Sequence, residues 1–274
     1  MSLIVYGTAV DPEDVTQALG LSPTWQRRRG EPNHPGDRPT KRGMWKRSFV
    51  GPTPVNAPTL ANDLARDLLG ELPSPLPSWS NWGDDVEVDI TLSFAVHRLL
   101  NFSYELDTSV AKKIGEVGTA LVCNVYDVDD SVRAGSFDDP DAAEHEVSVS
   151  LIVRGEELDP NIVTSMLGLD PTSSGRAGDP IQRGQVRARP LGFWEFDVRS
   201  RPPKDVNQLI RALLGRLPTN PVTWDTLRRD YQIRLHTSFT AEGLSGHFYL
   251  EADVVRALAT MGCTLDFAFY NLNA

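Results

Sequence analysis

"LIVYGTAVDPEDVTQALGLSPT" (Leu3–Thr24) returns 148 positions later as "LIVRGEELDPNIVTSMLGLDPT" (Leu151–Thr172), and this repetition decides the fold. Thirteen of the 22 aligned residues are identical, and the alignment needs no gap. Each copy begins with an apolar run that is typical of a strand. Asp11 as N-cap, Pro12 at the first helical position and Gly20 as C-cap then predict a short helix, and the same three residue types recur in the copy.

Shorter matches continue in the same order along both copies. They pair "GMW" (Gly43–Trp45) with "GFW" (Gly192–Trp194), "LLGELP" (Leu68–Pro73) with "LLGRLP" (Leu213–Pro218), and Trp79 with Trp224. A repeat of this length indicates a duplicated domain and not a solenoid of short units. Residues 127–146, between the copies, hold eight acidic residues and one arginine. We therefore predict a first repeat at residues 1–127, an exposed acidic linker at 128–146 and a second repeat at 147–274.

Each repeat reads as β-α-β-(α)-β-β-α-β. Val86–Phe94 alternates apolar and polar residues, as a half-buried strand does, and Tyr231–Phe239 repeats that alternation. Hairpins and only two or three helices predict an α+β fold, in which each repeat forms a mainly antiparallel sheet with helices on one face. A ferredoxin-like variant is our expected topology. We also expect the similar apolar faces of the two repeats to pack on each other.

Composition narrows the class of protein. The chain has 274 residues and a formal net charge of −10. No apolar run approaches the roughly 18 residues that a membrane-spanning helix needs. Two cysteines are too few for a disulfide framework or a metal site. We expect a cytoplasmic protein without a cofactor, a bound metal or a membrane partner.

Candidate catalytic residues are scarce. The five histidines do not recur between the copies, and no Walker loop, dinucleotide fingerprint or nucleophile elbow is present. Cys123 aligns with Phe267, which predicts a core position for it. Trp45 and Trp194 recur and are predicted to be core residues whose indole N–H has a partner, whereas a surface or loop role is open for Trp25 and Trp82. No catalytic residue is assigned, and we expect the protein not to be an enzyme.

The loop after the first helix is the strongest candidate for a binding site. Between Pro23 and Arg47 it carries eight Lys or Arg residues and two acidic residues, whereas its copy between Ser173 and Pro190 carries four and one. Such segregated charge suits an acidic protein, a nucleic acid or a phosphate-bearing ligand. Pairing of these arginines with acidic surfaces of the same chain is the structural alternative. The candidate binding residues are Arg27, Arg28, Arg29, Arg38, Lys41, Arg42, Arg47 and Arg176.

With these motifs, the chain resembles tandem copies of the bacterial domain of unknown function 4279 family. The resemblance rests on "LIVYG", "DPEDVTQALGLSPT", "RRRG" and "GMW" in the first copy and on their counterparts in the second. It covers nearly the whole chain. It implies a small α+β bacterial domain with no established catalytic residues, so no functional residue is carried over.

We expect a non-enzymatic binding protein with an acidic protein partner, of which an immunity protein that neutralises a toxin is one specific form. Two alternatives stay open. The first is an enzyme whose site lies in a cleft between the repeats, where His97, Arg98, Asp84 and His236 would have to converge. The second is nucleic-acid or nucleotide binding through the basic loop, against which the net charge counts.

Overall fold

The structure is a computed structural model that describes residues 1–32, 37–51, 58–96, 101–127, 135–136, 145–180, 188–201, 205–241 and 246–272. The first repeat contains β1 (Ser2–Gly7), α1 (Pro12–Leu19), β2 (Trp25–Arg27), β3 (Gly43–Ser48), α2 (Pro58–Glu71), a 3-10 helix (Trp79–Trp82), β4 (Glu87–Val96), β5 (Asn101–Leu106), α3 (Thr108–Val117) and β6 (Ala120–Asp127). A short strand β7 (Gly135–Ser136) follows it.

The second repeat has the same order of elements. It contains β8 (Glu146–Gly155), α4 (Pro160–Leu167), β9 (Ser173–Gly175), β10 (Gly192–Ser200), α5 (Val206–Leu214), α6 (Pro221–Asp230), β11 (Gln232–Ala241), β12 (Gly246–Leu250), α7 (Ala252–Met261) and β13 (Thr264–Asn271). Most of the segment predicted as a linker lies outside the described residues.

The repeated Asp-Pro motif forms the predicted helices. Asp11 caps α1 by accepting a hydrogen bond from the backbone N–H of Glu13 at 2.9 Å, and Asp159 caps α4 in the same way. Gly20 ends α1 in the left-handed region at φ 66°, which a residue without a Cβ adopts at little cost. The prediction of this helix from its capping residues is confirmed in both copies.

The strands form two mainly antiparallel sheets, so the predicted α+β class is confirmed. Sheet A has the order β2-β3-β1-β4-β6-β12-β7, and sheet B has the order β5-β13-β11-β8-β10-β9. The last strand of each repeat is parallel to a neighbour, since β6 pairs with β4 in sheet A and β13 pairs with β11 in sheet B, and β7 is parallel to β12. One face of each sheet is apolar and buried, and the other is lined mainly by polar side chains.

The two repeats exchange a strand. β5 belongs to the first repeat but pairs with β13 in sheet B, where Tyr104 lies opposite Phe267. β12 belongs to the second repeat but pairs with β6 in sheet A, where Phe248 lies opposite Cys123. The helices that follow the exchanged strands, α3 and α7, pack on each other. Neither sheet is therefore built from one repeat alone.

Aromatic side chains from both sheets meet in one buried cluster. The ring centroids of contacting pairs in this cluster lie between 4.6 and 6.4 Å apart. A fully buried side chain of this size contributes roughly 2 kcal/mol, so the cluster is a main source of cohesion between the sheets. Its members are Phe94, Phe102, Tyr104, Phe239, Phe248, Phe267 and Phe269.

A buried asparagine fixes each exchanged strand to a helix of its own repeat. Asn62 on α2 donates from Nδ2 to the carbonyl of Glu105 at 2.9 Å, and its Oδ1 accepts from the N–H of Asp107 at 2.8 Å. Asn207 on α5 makes the same pair of bonds, each 2.8 Å long, because its Nδ2 donates to the carbonyl of Tyr249 near the end of β12 and its Oδ1 accepts from the N–H of Glu251. The amide thus acts as one extra rung of the ladder at the end of each strand.

The tryptophans that recur in both repeats differ in environment from those that occur in the first repeat alone. Trp45 and Trp194 are fully buried, and the indole N–H of each donates to a threonine hydroxyl at 3.1 Å, which confirms their predicted core role. Trp25 is 43% exposed, in keeping with a surface role. Trp82 is not at the surface as its lack of a counterpart suggested, because the 3-10 helix turns it inward, where its ring lies 5.7 Å from that of Trp79.

Candidate functional site

The basic loop has a framework that both repeats share. Arg28 reaches back to Asp11 at 3.8 Å and also contacts Glu13, while Arg176 contacts Asp159 at 2.6 Å. The glycine two residues after each arginine has a φ near +89°, a conformation that favours glycine. Arg28 and Arg176 are thus placed beside the acidic N-terminus of a helix of their own repeat.

Two further candidate residues are also paired within the chain. Arg42 contacts Glu87 at 2.8 Å. Arg47 forms a bidentate pair with Glu71, with two bonds of 3.0 Å. A bidentate arginine–carboxylate pair is strong and geometrically specific, so Arg47 is tied to the end of α2. The structural alternative for the basic loop therefore accounts for four of its eight candidate residues.

The other four candidates, which we call the cationic patch, are Arg27, Arg29, Arg38 and Lys41. Arg27 stacks on the exposed ring of Trp25 at 5.4 Å, and Arg29 donates to the carbonyl of Thr8 at 3.4 Å. Arg38 and Lys41 are exposed and make no ion pair within the described part of the loop. All four belong to the first repeat.

Backbone hydrogen bonds bring the two limbs of the loop together. The N–H of Gly30 donates to the carbonyl of Thr40 at 2.9 Å, and the N–H of Thr40 donates to Glu31. Arg29 and Lys41 are each one residue from this bonded pair, so both lie where the limbs meet. The patch lies on one loop and carries positive charge that forms no ion pair with the residues that the structure describes.

A second polar site crosses the open face of sheet B. Five residues lie in direct register on five neighbouring strands, and we call them the polar row: Asp197, Ser150, His236, Asp266 and Glu105. Nδ1 of His236 lies 2.9 Å from Oδ2 of Asp266. Arg234 bridges the row by contacting Asp266 at 3.1 Å and Glu105 at 2.9 Å. Glu105 comes from the first repeat, so the strand exchange completes the row.

The pKa values of two carboxyl groups of the row are lowered, and that of a neighbouring carboxyl group is raised. Burial alone would raise the pKa of Asp266, but its hydrogen bond to His236 and the charge of Arg234 outweigh burial and hold that pKa below its ordinary value. Asp197 behaves in the same way because Ser150 and Arg199 donate to it. Glu195, on the same strand, has a raised pKa because of burial and the charge of Asp197.

The row does not form a nucleophile–base pair. The hydroxyl of Ser150 donates to Asp197 and not to His236, and Ser150 is only 4% exposed. Activation of a serine needs its proton to be directed at the base. The row is better described as a network of paired charges on a sheet face.

A family model described as a domain of unknown function, DUF4279, matches residues 1–128 and again 145–272. The chain belongs to this family. No curated protein and no solved structure matches the chain.

Within this DUF4279 protein, the residues proposed for an enzyme do not all reach one place. Asp84 is exposed before β4 in sheet A, whereas His236 lies in sheet B, and His97 and Arg98 are outside the described residues. Among the described residues, no cluster of three or more His, Cys, Asp or Glu is placed to hold a metal ion. No described helix combines the length and the apolar character needed to cross a membrane.

The cysteines of this DUF4279 protein are core residues. Cys123 and Cys263 are fully buried, and burial raises the pKa of each thiol to about 12. A thiol with such a pKa is almost entirely protonated near neutrality and is a poor nucleophile. The prediction that Cys123 faces the core is confirmed.

The sequence analysis did not predict the polar row or the paired roles of Asn62 and Asn207. Asn62 and Asn207 occupy equivalent positions in two helices, and that recurrence of a polar residue on a buried helix face was an available signal. The row left no such signal, since its counterparts in sheet A are Ser48, Ser2, Thr91, Val122 and Tyr249. Because its members come from five strands and both repeats, only the folded sheet brings them together.

Proposed function

We propose that this protein is a non-enzymatic binding module that docks an acidic protein surface through the cationic patch of its first repeat. One observation carries the proposal. The arginine that both repeats share at the loop turn is paired with acids of its own repeat, and so are Arg42 and Arg47, whereas the four residues of the cationic patch form no ion pair with a described residue. Positive charge that no described acid pairs with is available to an acidic partner.

The rest of the loop supports this choice of ligand. Arg27 stacks on Trp25, and together they offer a planar cation beside an aromatic ring, a pairing that is frequent in protein interfaces. The formal net charge of −10 repels nucleic acid at long range, whereas an acidic protein can be met by local charge complementarity. A toxin-neutralising role is one specific form of this proposal.

The test reverses the charge of the patch. The triple variant Arg29→Glu, Arg38→Glu, Lys41→Glu is compared with a control, Lys112→Glu, Lys113→Glu, Arg154→Glu, which changes the net charge equally at cations outside the loop. Proteins captured from a nuclease-treated lysate of the source organism are identified by mass spectrometry, and the affinity of a purified partner is then measured.

We expect one acidic protein that the wild type and the control capture and that the patch variant loses, with an affinity at least about a hundredfold lower because three favourable contacts become repulsive. Equal capture by both variants would contradict the proposal. Retention of an oligonucleotide by the patch, with no selectively lost protein, would instead favour nucleic-acid binding.

A further inference from the structure

The exchanged strands differ in what lies on their outer edges. In sheet A, β12 is followed by the short strand β7, which pairs with it in parallel through Gly246 with Gly135 and His247 with Ser136. In sheet B the equivalent strand, β5, is the last strand, and no described segment of the chain pairs with its outer side. A strand edge of this kind presents unpaired N–H and C=O groups to a partner.

The asparagine rung fixes which groups of β5 point outward. The carbonyl of Glu105 points away from β13, because it accepts from Asn62. Since the backbone groups of alternate residues point to the same side of a strand, those of Ser103 point outward as well. On β12, Asn207 binds the carbonyl of Tyr249, and the residue two positions earlier is His247, which pairs with β7. Ser103, which is exposed, is the position on β5 that is equivalent to His247, and no described strand pairs with its outer side.

The surroundings of this edge are acidic. Asp63 and Asp67 lie on α2, which packs against β5, Glu105 lies on β5, and Asp107 follows directly after that strand. Arg66 contacts Asp63 and Asp107, and Arg234 contacts Glu105, so these described acids outnumber the arginines that pair with them. A strand with a basic residue would meet favourable charge here, and β7 itself comes two residues after Arg133 in the sequence.

We propose that β5 takes up an extended cationic segment of a partner protein as an additional parallel strand beside Ser103, in the way that β12 takes up β7. Main-chain hydrogen bonds would supply the attraction, and the acidic side chains would select a basic segment. This site lies on sheet B and does not involve the cationic patch, so either proposal can fail without the other.

The probe is the blocked peptide Ser-Val-Arg-Ala-Gly-Ser-Phe, which has the sequence of residues 131–137 and a charge of +1. It is titrated to millimolar concentration into the isotope-labelled full chain, and backbone amide shifts are recorded. We expect saturable shifts at Asn101–Glu105. A peptide with Glu in place of Arg should bind more weakly, and Asp67→Lys should weaken the original peptide by at least about twofold through lost attraction.

Ser103→Pro removes the outward N–H and should abolish binding, whereas Ser103→Ala keeps that N–H and should preserve it. The spectrum shows directly whether the proline variant is folded, and Asp67→Lys tests the site without altering the backbone. Shifts confined to Gly246 and His247 would mean that the peptide replaces β7, and would overturn the proposal. So would the absence of saturable shifts, or a dimeric mass by light scattering that the Ser103→Pro variant loses.

Discussion

Replacing the buried asparagine of either repeat should destabilise the whole molecule. In Asn207→Ala, the carbonyl of Tyr249 and the N–H of Glu251 lose their partner in a site where Asn207 is only 3% exposed. A buried backbone group without a partner costs about 1–3 kcal/mol, so the loss of two should lower the free energy of unfolding by about 3 kcal/mol. Asn62 is 9% exposed, and water can replace part of its bonds, so Asn62→Ala should cost about 2 kcal/mol.

The assay is urea unfolding followed by tryptophan fluorescence and by far-ultraviolet circular dichroism. Because each sheet contains strands of both repeats, we expect one transition in both signals, moved to lower urea by either variant with little change in slope. The double variant should lose about the sum of the two single effects, since the asparagines lie in separate helices. Asn161→Ala, at an exposed position, is the matched control and should change stability by less than about 0.5 kcal/mol.

Two results would refute this reasoning. A loss below about 1 kcal/mol for Asn207→Ala would mean that the amide does not satisfy the end of the exchanged strand. Two separate transitions, each sensitive to only one asparagine, would mean that the repeats fold independently in spite of the shared sheets.

Three other predictions concern the buried cysteines, the strand exchange and the polar row. Cys123 and Cys263 should resist iodoacetamide in the folded protein and react in urea, because burial raises the pKa of each thiol to about 12; labelling without denaturant would contradict their placement. Residues 1–128 alone should form a dimer or remain unfolded, since β5 and β6 have lost their partners; light scattering that finds a folded monomer would contradict the exchange. The folded-state pKa of Asp266 is lowered, so the stability that this residue contributes is full above an unfolded pKa of about 4 and is lost as the pH falls through the folded value. The gap in unfolding free energy between wild type and Asp266→Asn should therefore narrow from about pH 7 to about pH 3, and a constant gap would contradict it.

The helices and strands were predictable from the sequence because they depend on residues that are neighbours in the chain. Asp11, Pro12 and Gly20 define α1, and the alternation in Val86–Phe94 matches β4 to within two residues. The exchange of β5 and β12 was not predictable in this way, because the same apolar pattern serves equally well beside β6 or beside β13. The choice between these partners is a matter of tertiary packing.

The candidate site was likewise predictable only in part. Segregated charge located the basic loop, but which of its arginines are free depends on acids that the fold brings near, such as Glu71 for Arg47 and Glu87 for Arg42. The similarity between the copies was informative here, since Arg28 and Arg176 recur and both prove to be held at a helix N-terminus. The absence of a counterpart does not by itself identify the unpaired cations, since Arg42 and Arg47 have no counterpart and both are paired.

The strand exchange also limits how the two halves of the gene can diverge. The interior of each sheet is encoded in both halves: Tyr104 of the first half stacks on Phe267 of the second at 5.1 Å, and Phe248 of the second lies opposite Cys123 of the first. A larger side chain in one half must be accommodated by a smaller one in the other. If one repeat were replaced by that of a distant relative, its strands would have to fit both sheets, so we expect the two halves to be exchanged only as one unit.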